Sequence, residues 1–260
     1  MELNVYQHYR KEEQAFIDQV YGWLQQVDNR FTPYLSGFLT PRQAMIVQQL
    51  VNGHEDVEVA FEGGYPSCER KRALIYPSYY QVETDDYQVS ALELKFPSKF
   101  GEMTHGRILG TLISTGIDRE RIGDIITDGE NWHILVDKNM TEFLKQQVTK
   151  VANVGVRLQD IPLDQVLTSS ETWETISLVA SSLRLDTLIA KVYNFSRQRA
   201  KDSVNSGLVK VNFTPMVRSD VEVGVNDIVS VRHHGRFWIH AVEGLTKKDN
   251  YRLTVNVLNK

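Results

Sequence analysis

Ten side chains late in the chain share one chemistry, the presentation of hydrogen-bond donors and positive charge to an anion. They are Arg184, Ser196, Arg197, Arg199, Lys201, Asn205, Lys210, Asn212, Arg218 and Arg232. Arg197, Lys201 and Asn205 fall four apart, which stacks them on one helix face while Ala200 and Val204 occupy another. A line of cationic and amide donors results, suited to phosphate oxygens. Arg236 adds a further cation.

Residues that could make or break bonds are less well organised. No phosphate loop, dinucleotide glycine fingerprint, paired-histidine metal motif or nucleophile elbow is present. His233-His234 is the one adjacent histidine pair, and in an extended segment its two rings would point to opposite faces, away from a shared metal. Asp85-Asp86 and Asp124 with Asp128 have no identifiable partner base. Cys68 is the single cysteine, which excludes an internal disulfide and a cysteine-rich zinc site and reads as a structural thiol. Gly63-Gly64 could cradle a phosphate, but without a following helix the pair reads as a hairpin turn. The expectation is no catalytic residue, no metal and no cofactor.

The elements that must position the cations are legible. Leu185, Leu188, Ile189, Val192 and Tyr193 recur at helical spacing, leaving Arg184 and Lys191 towards water. Ser196 is placed to cap a second helix and Gly207 to end it in a left-handed conformation. Val209 and Val211, and then Val229 and Val231, alternate with polar residues as half-buried strands do. Asp186 caps the first helix or orients Arg184.

Upstream, Phe16, Val20, Trp23, Leu24 and Val27 predict a helix, and Thr40-Pro41 caps another through Leu50. Strands follow at Val57 to Phe61, Ala73 to Ile75 and Val89 to Leu94. A helix covers Ile108 to Ile113, a hairpin Ile122 to Val136, and a second helix Phe143 to Val151. The fold class is α+β: a mainly helical N-terminal region over 1–68, a ferredoxin- or RRM-like α+β domain over 69–160, and an RNA-facing domain over 181–245. The middle sheet lacks the aromatic pair with which an RRM stacks bases.

Charge is segregated. Before residue 183 there are sixteen Lys and Arg against twenty-six Asp and Glu, and from there on thirteen against seven. The net −4 therefore hides an acidic body and a basic module, an arrangement that orients a molecule towards phosphate backbones. No run approaches membrane-spanning length and the N-terminus lacks a signal-peptide layout, so a cytoplasmic protein with no membrane partner is expected.

The order Leu183-Arg184-Leu185-Asp186, Ser196-Arg197-Gln198-Arg199-Ala200-Lys201 and Gly207-Leu208-Val209-Lys210-Val211-Asn212 resembles the RNA-binding domain named after small-subunit ribosomal protein S4. Phe213 and Asn226 stand where many such domains carry glycine. Arg-Leu-Asp also resembles the catalytic aspartate motif of pseudouridine synthases, but here it opens an amphipathic helix. Phe38-Leu39-Thr40-Pro41-Arg42, Gly63-Gly64-Tyr65, Glu69-Arg70-Lys71-Arg72 and the run from Gly106 to Ile125 make nearly the whole chain similar to the YlmH family of bacterial proteins. In that run Gly106 and Gly110 would allow close helix packing, and Asp118, Arg119 and Arg121 would lie in a turn open to a partner.

The resemblance implies a non-catalytic protein of ribosome-associated quality control. It implies binding of large-subunit ribosomal RNA and tRNA on the 50S subunit, and a monomer is the simplest expectation. An RNA-modifying enzyme of pseudouridine-synthase type and a cell-division interaction protein are the alternative classes.

Overall fold

The computed structural model describes residues 9–97, 103–168 and 173–259, and the chain divides into two compact units, Met1–Ser170 and Glu171–Lys260. Among the described residues, no helix is long and apolar enough to cross a membrane.

The first unit opens with α1 (Gln14–Arg30), β1 (Tyr34–Leu39), α2 (Pro41–Val51), β2 (Val57–Glu62) and β3 (Lys71–Pro77). Thr40 and Gln43 close a reciprocal capping box at the start of α2, with Pro41 in its first turn. The apolar faces of α1 and α2 bury Ile17, Val20, Leu24, Ile46 and Val47 against Ala73 and Ile75 of the sheet. That sheet runs β1-β3-β2, all antiparallel.

The N-terminal region has more helix than strand, with one addition: β1 forms between the helices, and an irregularity between Leu35 and Phe38 breaks the period-two pattern that would have announced it. The hydrogen bonds do not divide at residue 68, since β2 and β3 pair across that position.

The chain continues with β4 (Val89–Lys95), α3 (His105–Ser114), β5 (Ile122–Thr127), β6 (Trp132–Asp137), α4 (Thr141–Gln147), the short ribbon β7 (Lys150–Val151) with β8 (Val154–Gly155), and β9 (Arg157–Ile161). The second sheet has the order β5-β6-β4-β9. The helix expected over Phe143 to Val151 ends at Gln147, and Val151 turns into the ribbon.

One face of this sheet packs Leu92, Leu94, Ile134 and Val136 with Ile108, Leu112 and Leu144 of the helices. The other is covered as well. Tyr65 and Cys68 from the β2–β3 loop, with Leu163, Val166 and Leu167, close over Ala91, Ile126 and Leu135. All six residues of β6 are consequently buried.

Gly64 shows how tightly the loop is laid down. Its φ is +97°, and an added Cβ would come within 2.8 Å of Leu135 and 2.9 Å of Val89. The two sheets are tied by polar groups: Asp124 accepts from Tyr65 Oη at 2.8 Å and from the Glu69 and Arg70 amides at 2.7 and 3.1 Å. Buried Arg72 donates to Ser36 O at 2.8 Å and lies 3.5 Å from Asp137.

The second unit comprises β10 (Glu174–Ala180), α5 (Leu185–Val192), α6 (Arg197–Asn205), β11 (Val209–Val211), β12 (Thr214–Met216), β13 (Ile228–Val231), β14 (Gly235–Leu245) and β15 (Tyr251–Asn259). Its six strands lie in the order β10-β15-β14-β13-β11-β12. The sheet therefore reaches beyond the expected limits of 181 and 245, because β10 and β15 pair with each other along their lengths. Leu185, Leu188, Ile189, Ala200 and Val204 pack on Val209, Val211, Val229, Val231, Phe237 and Val255, so both helices cover one face.

Candidate nucleic-acid interface

Alpha-helix α6 forms where its cap chemistry predicts. Ser196 Oγ accepts from the Arg199 amide at 3.1 Å, and Gly207 adopts a φ of +69° just past the last turn. Ala200 and Val204 are fully buried, which fixes the helix rotation and turns Arg197 and Asn205 outwards with Lys201 half-exposed beside them. The start of α5 is pinned by a crossing segment. Leu185 N–H donates to Val221 O at 2.8 Å, Asp186 N–H to Ser219 O at 3.1 Å, and Val223 N–H to Leu183 O at 2.9 Å.

Asp186 is the hub of the site. Its carboxylate has no exposure, yet it receives Arg184 Nε at 3.1 Å and Nη2 at 2.9 Å, with Arg197 Nε 3.7 Å away and Thr187 Oγ1 at 3.3 Å. Burial alone would raise its pKa, but the hydrogen bonds from Arg184 and the charges of Arg184 and Arg197 hold it below the usual carboxylate range. One buried anion thus aims two guanidinium groups from two helices at the same patch of surface. Arg197 remains 60% exposed at its side chain, so most of its donor fork faces solvent.

The remaining cations are distributed unevenly. The Arg199 guanidinium lies 3.9 Å from the centroid of the Phe195 ring, which itself packs edge-on to His234 at 4.8 Å. That contact sets α6 beside the β13–β14 turn, where Arg232 and His233 are exposed. His233 has a φ of +70°, so the histidine pair sits in a tight turn. Arg218 pairs with Asp220 at 3.2 Å. Lys210 is exposed between buried Val209 and Val211, on the sheet face opposite the helices.

Asn212 also has a role within the fold. With Phe213 it forms a two-residue β11–β12 turn, both at positive φ, +48° and +68°. Its Nδ2 donates to Asp227 Oδ1 at 2.8 Å and its Oδ1 accepts from the Ile228 amide at 3.0 Å, so the side chain holds the turn to β13.

Other candidates are likewise absorbed by the fold. Glu62 Oε1 accepts from both Gly63 and Gly64 amides at 2.8 Å, occupying the donors that a phosphate would need. Asp128 caps its own turn through the Glu130 and Asn131 amides at 2.9 and 2.7 Å, and those bonds lower its carboxyl to about 2. Asp85 pairs with Lys138 at 3.0 Å, and Asp86 accepts from Tyr80 at 3.1 Å. Burial pushes the Cys68 thiol up to about 11, where little thiolate exists at neutral pH.

The charged turn after α3 is exposed at Asp118, Glu120 and Arg121, and both of its arginines also have partners within the unit. Arg119 donates to Ile122 O and Arg121 pairs with buried Asp137. Gly106 and Gly110 have nothing within 4 Å of an added Cβ, so neither serves close packing.

Similar proteins place this geometry in a lineage. A family model described as "YlmH, N-terminal" matches residues 12–80, and one described as "Putative RNA-binding domain in YlmH" matches residues 82–165. "Ribosome-associated protein quality control protein P2" of Bacillus subtilis (strain 168) is 36% identical over 251 residues, spanning 96% of this chain and 97% of that protein. The solved structure of "Cell division protein ylmH from Streptococcus pneumoniae" is 30% identical with a TM-score of 0.56, covering 64% of this chain and all of that one. On this agreement of family models with a relative of nearly equal length, the chain belongs to the YlmH family.

Proposed function

We propose that this protein binds structured RNA of the large ribosomal subunit through the α5–α6 face, steadying a tRNA there during ribosome-associated quality control. The observation that carries the reading is the Arg184–Asp186–Arg197 cluster, in which a buried carboxylate orients guanidinium groups of two helices towards solvent. Lys201 and Asn205 extend the same line, and Arg199 and Arg232 flank it. Affinity comes from phosphate contacts, and register from the fixed geometry of the arginines. The relative named for ribosome-associated quality control supports the setting.

The α5–α6 pair on its sheet agrees with an S4-like domain. In the first unit the order βαββαβ, with the sheet sequence β5-β6-β4-β9, agrees with a ferredoxin-like domain. The face on which an RRM stacks bases is buried there under Tyr65, Cys68 and Leu163, so RNA contact by residues 82–165 would use loops and helix surfaces. In this reading the protein acts as a cytoplasmic monomer, and Asp186 serves as an orienting group with no bond chemistry.

Crosslinking the protein to cellular RNA and sequencing the sites tests the reading. Sites clustered in large-subunit ribosomal RNA and tRNA are expected. Sites scattered over messenger RNA, or capture of division proteins that survives nuclease, would overturn it.

A further inference from the structure

The sheet of the second unit has a face that α5 and α6 do not cover. Residues directly opposite one another on paired strands share a face, so Lys210, Ser230, Arg236 and Leu258 form one row across it. Trp173 extends that row beyond β15, and the Arg236 guanidinium sits 5.1 Å from its ring centroid. The neighbouring row holds Ile228, Trp238, Asn256 and Thr175, and further along lie Thr254, Ser177 and Arg252. Apart from Ile228, these residues are all partly or fully exposed.

We propose that this open face is a second RNA surface, for unpaired nucleotides, with Trp173 and Trp238 stacking bases and Lys210, Arg236 and Arg252 meeting phosphates. The inference extends the RNA-binding reading to a surface distinct from the α5–α6 face. Among the described residues of the face, Lys210, Arg236 and Arg252 stand with one carboxylate, Glu243, which accepts from Thr254 Oγ1 at 2.8 Å. That balance favours a polyanion over an acidic or apolar protein segment. Aromatic rings set among cations on a sheet are the means by which single strands are held without sequence preference, since every base has a stacking face.

Trp173, the residue before β10, and Trp238 on β14 lie on either side of β15, about 10 Å apart across the sheet, leaving room for a base against each. The contrast within the molecule is informative. The β5-β6-β4-β9 sheet has both faces covered and bears no aromatic pair, whereas this one has an uncovered face and two tryptophans.

The chain's own fluorescence tests the proposal. Of its four tryptophans, Trp23 and Trp132 are 7% and 8% exposed in the cores of the first unit, and the other two lie on the open face. Titrating the full chain with oligouridylate should quench the emission. Trp173→Ala should weaken that binding by about tenfold, and Trp173→Phe, which keeps a ring, should recover most of it. Binding of a structured RNA hairpin should stay unchanged in Trp173→Ala, and should fall in an Arg197→Ala/Lys201→Ala variant that still shows the quench. Absence of quenching in the wild type, or equal oligouridylate affinity in wild type and Trp173→Ala, overturns the proposal and leaves the α5–α6 reading standing.

Discussion

At the scale of single residues, Asp186 acts as an organiser. Replacing it by Asn removes a negative charge beside two arginines, so charge counting alone predicts tighter RNA binding. The orienting role predicts weaker binding, because Arg184 and Arg197 lose the anion that aims them. An increase in affinity, measured by fluorescence anisotropy, would show that the arginines act as unplaced charges. The same substitution has a pH signature. The folded-state pKa of Asp186 is depressed, so its stabilisation is present above the unfolded carboxylate value of about 3.9 and is lost as pH falls through the lower folded value. Urea midpoints followed from neutral to acid pH should fall less steeply for Asp186→Asn than for the wild type. Asn212 marks what residue-level reading misses: its bonds to Asp227 and Ile228 span fifteen and sixteen positions, and no local pattern announces them.

At the scale of elements, legibility follows how local the deciding chemistry is. The start and end of α6 were readable from Ser196 and Gly207, since a cap hydroxyl and a left-handed glycine act within one turn. Ser196→Ala should lower the opening free energy of α6 by ~1 kcal/mol, and Gly207→Ala by a similar amount, in native-state hydrogen exchange. Strand β1 was not readable, because its irregular register hides the alternation and its place is decided by pairing with β3. Glycines gave the poorest signal, since one residue type serves opposite needs. Gly64→Ala meets Leu135 and Val89 at positive φ and should destabilise the first unit by ~2 kcal/mol, whereas Gly110→Ala enters open space on α3 and should stabilise that helix by ~0.5–1 kcal/mol. Chemical denaturation of the two variants separates them; a loss for Gly110→Ala would restore the packing role expected from its spacing.

At the scale of the whole molecule, the sequence reveals the division of charge but not how each unit uses it. The acidic part from Met1 to Ser170 directs Arg70, Arg72 and Arg119 inward, to backbone carbonyls and to Asp137. The basic part leaves Arg197, Lys210 and Arg232 exposed to solvent. Counting charges could not distinguish these uses, because Arg70 and Arg72 are committed by contacts distant in sequence. We propose that the exposed, aimed cations of the α5–α6 face bind RNA of the large ribosomal subunit. Cosedimentation with purified large subunits across a salt series, comparing wild type with Arg197→Ala/Lys201→Ala, decides this. Binding that weakens as salt rises is expected for the wild type. The double variant should bind more weakly, with a logarithmic salt slope shallower by roughly 1.5. Equal binding of the two proteins at every salt concentration would contradict the claim.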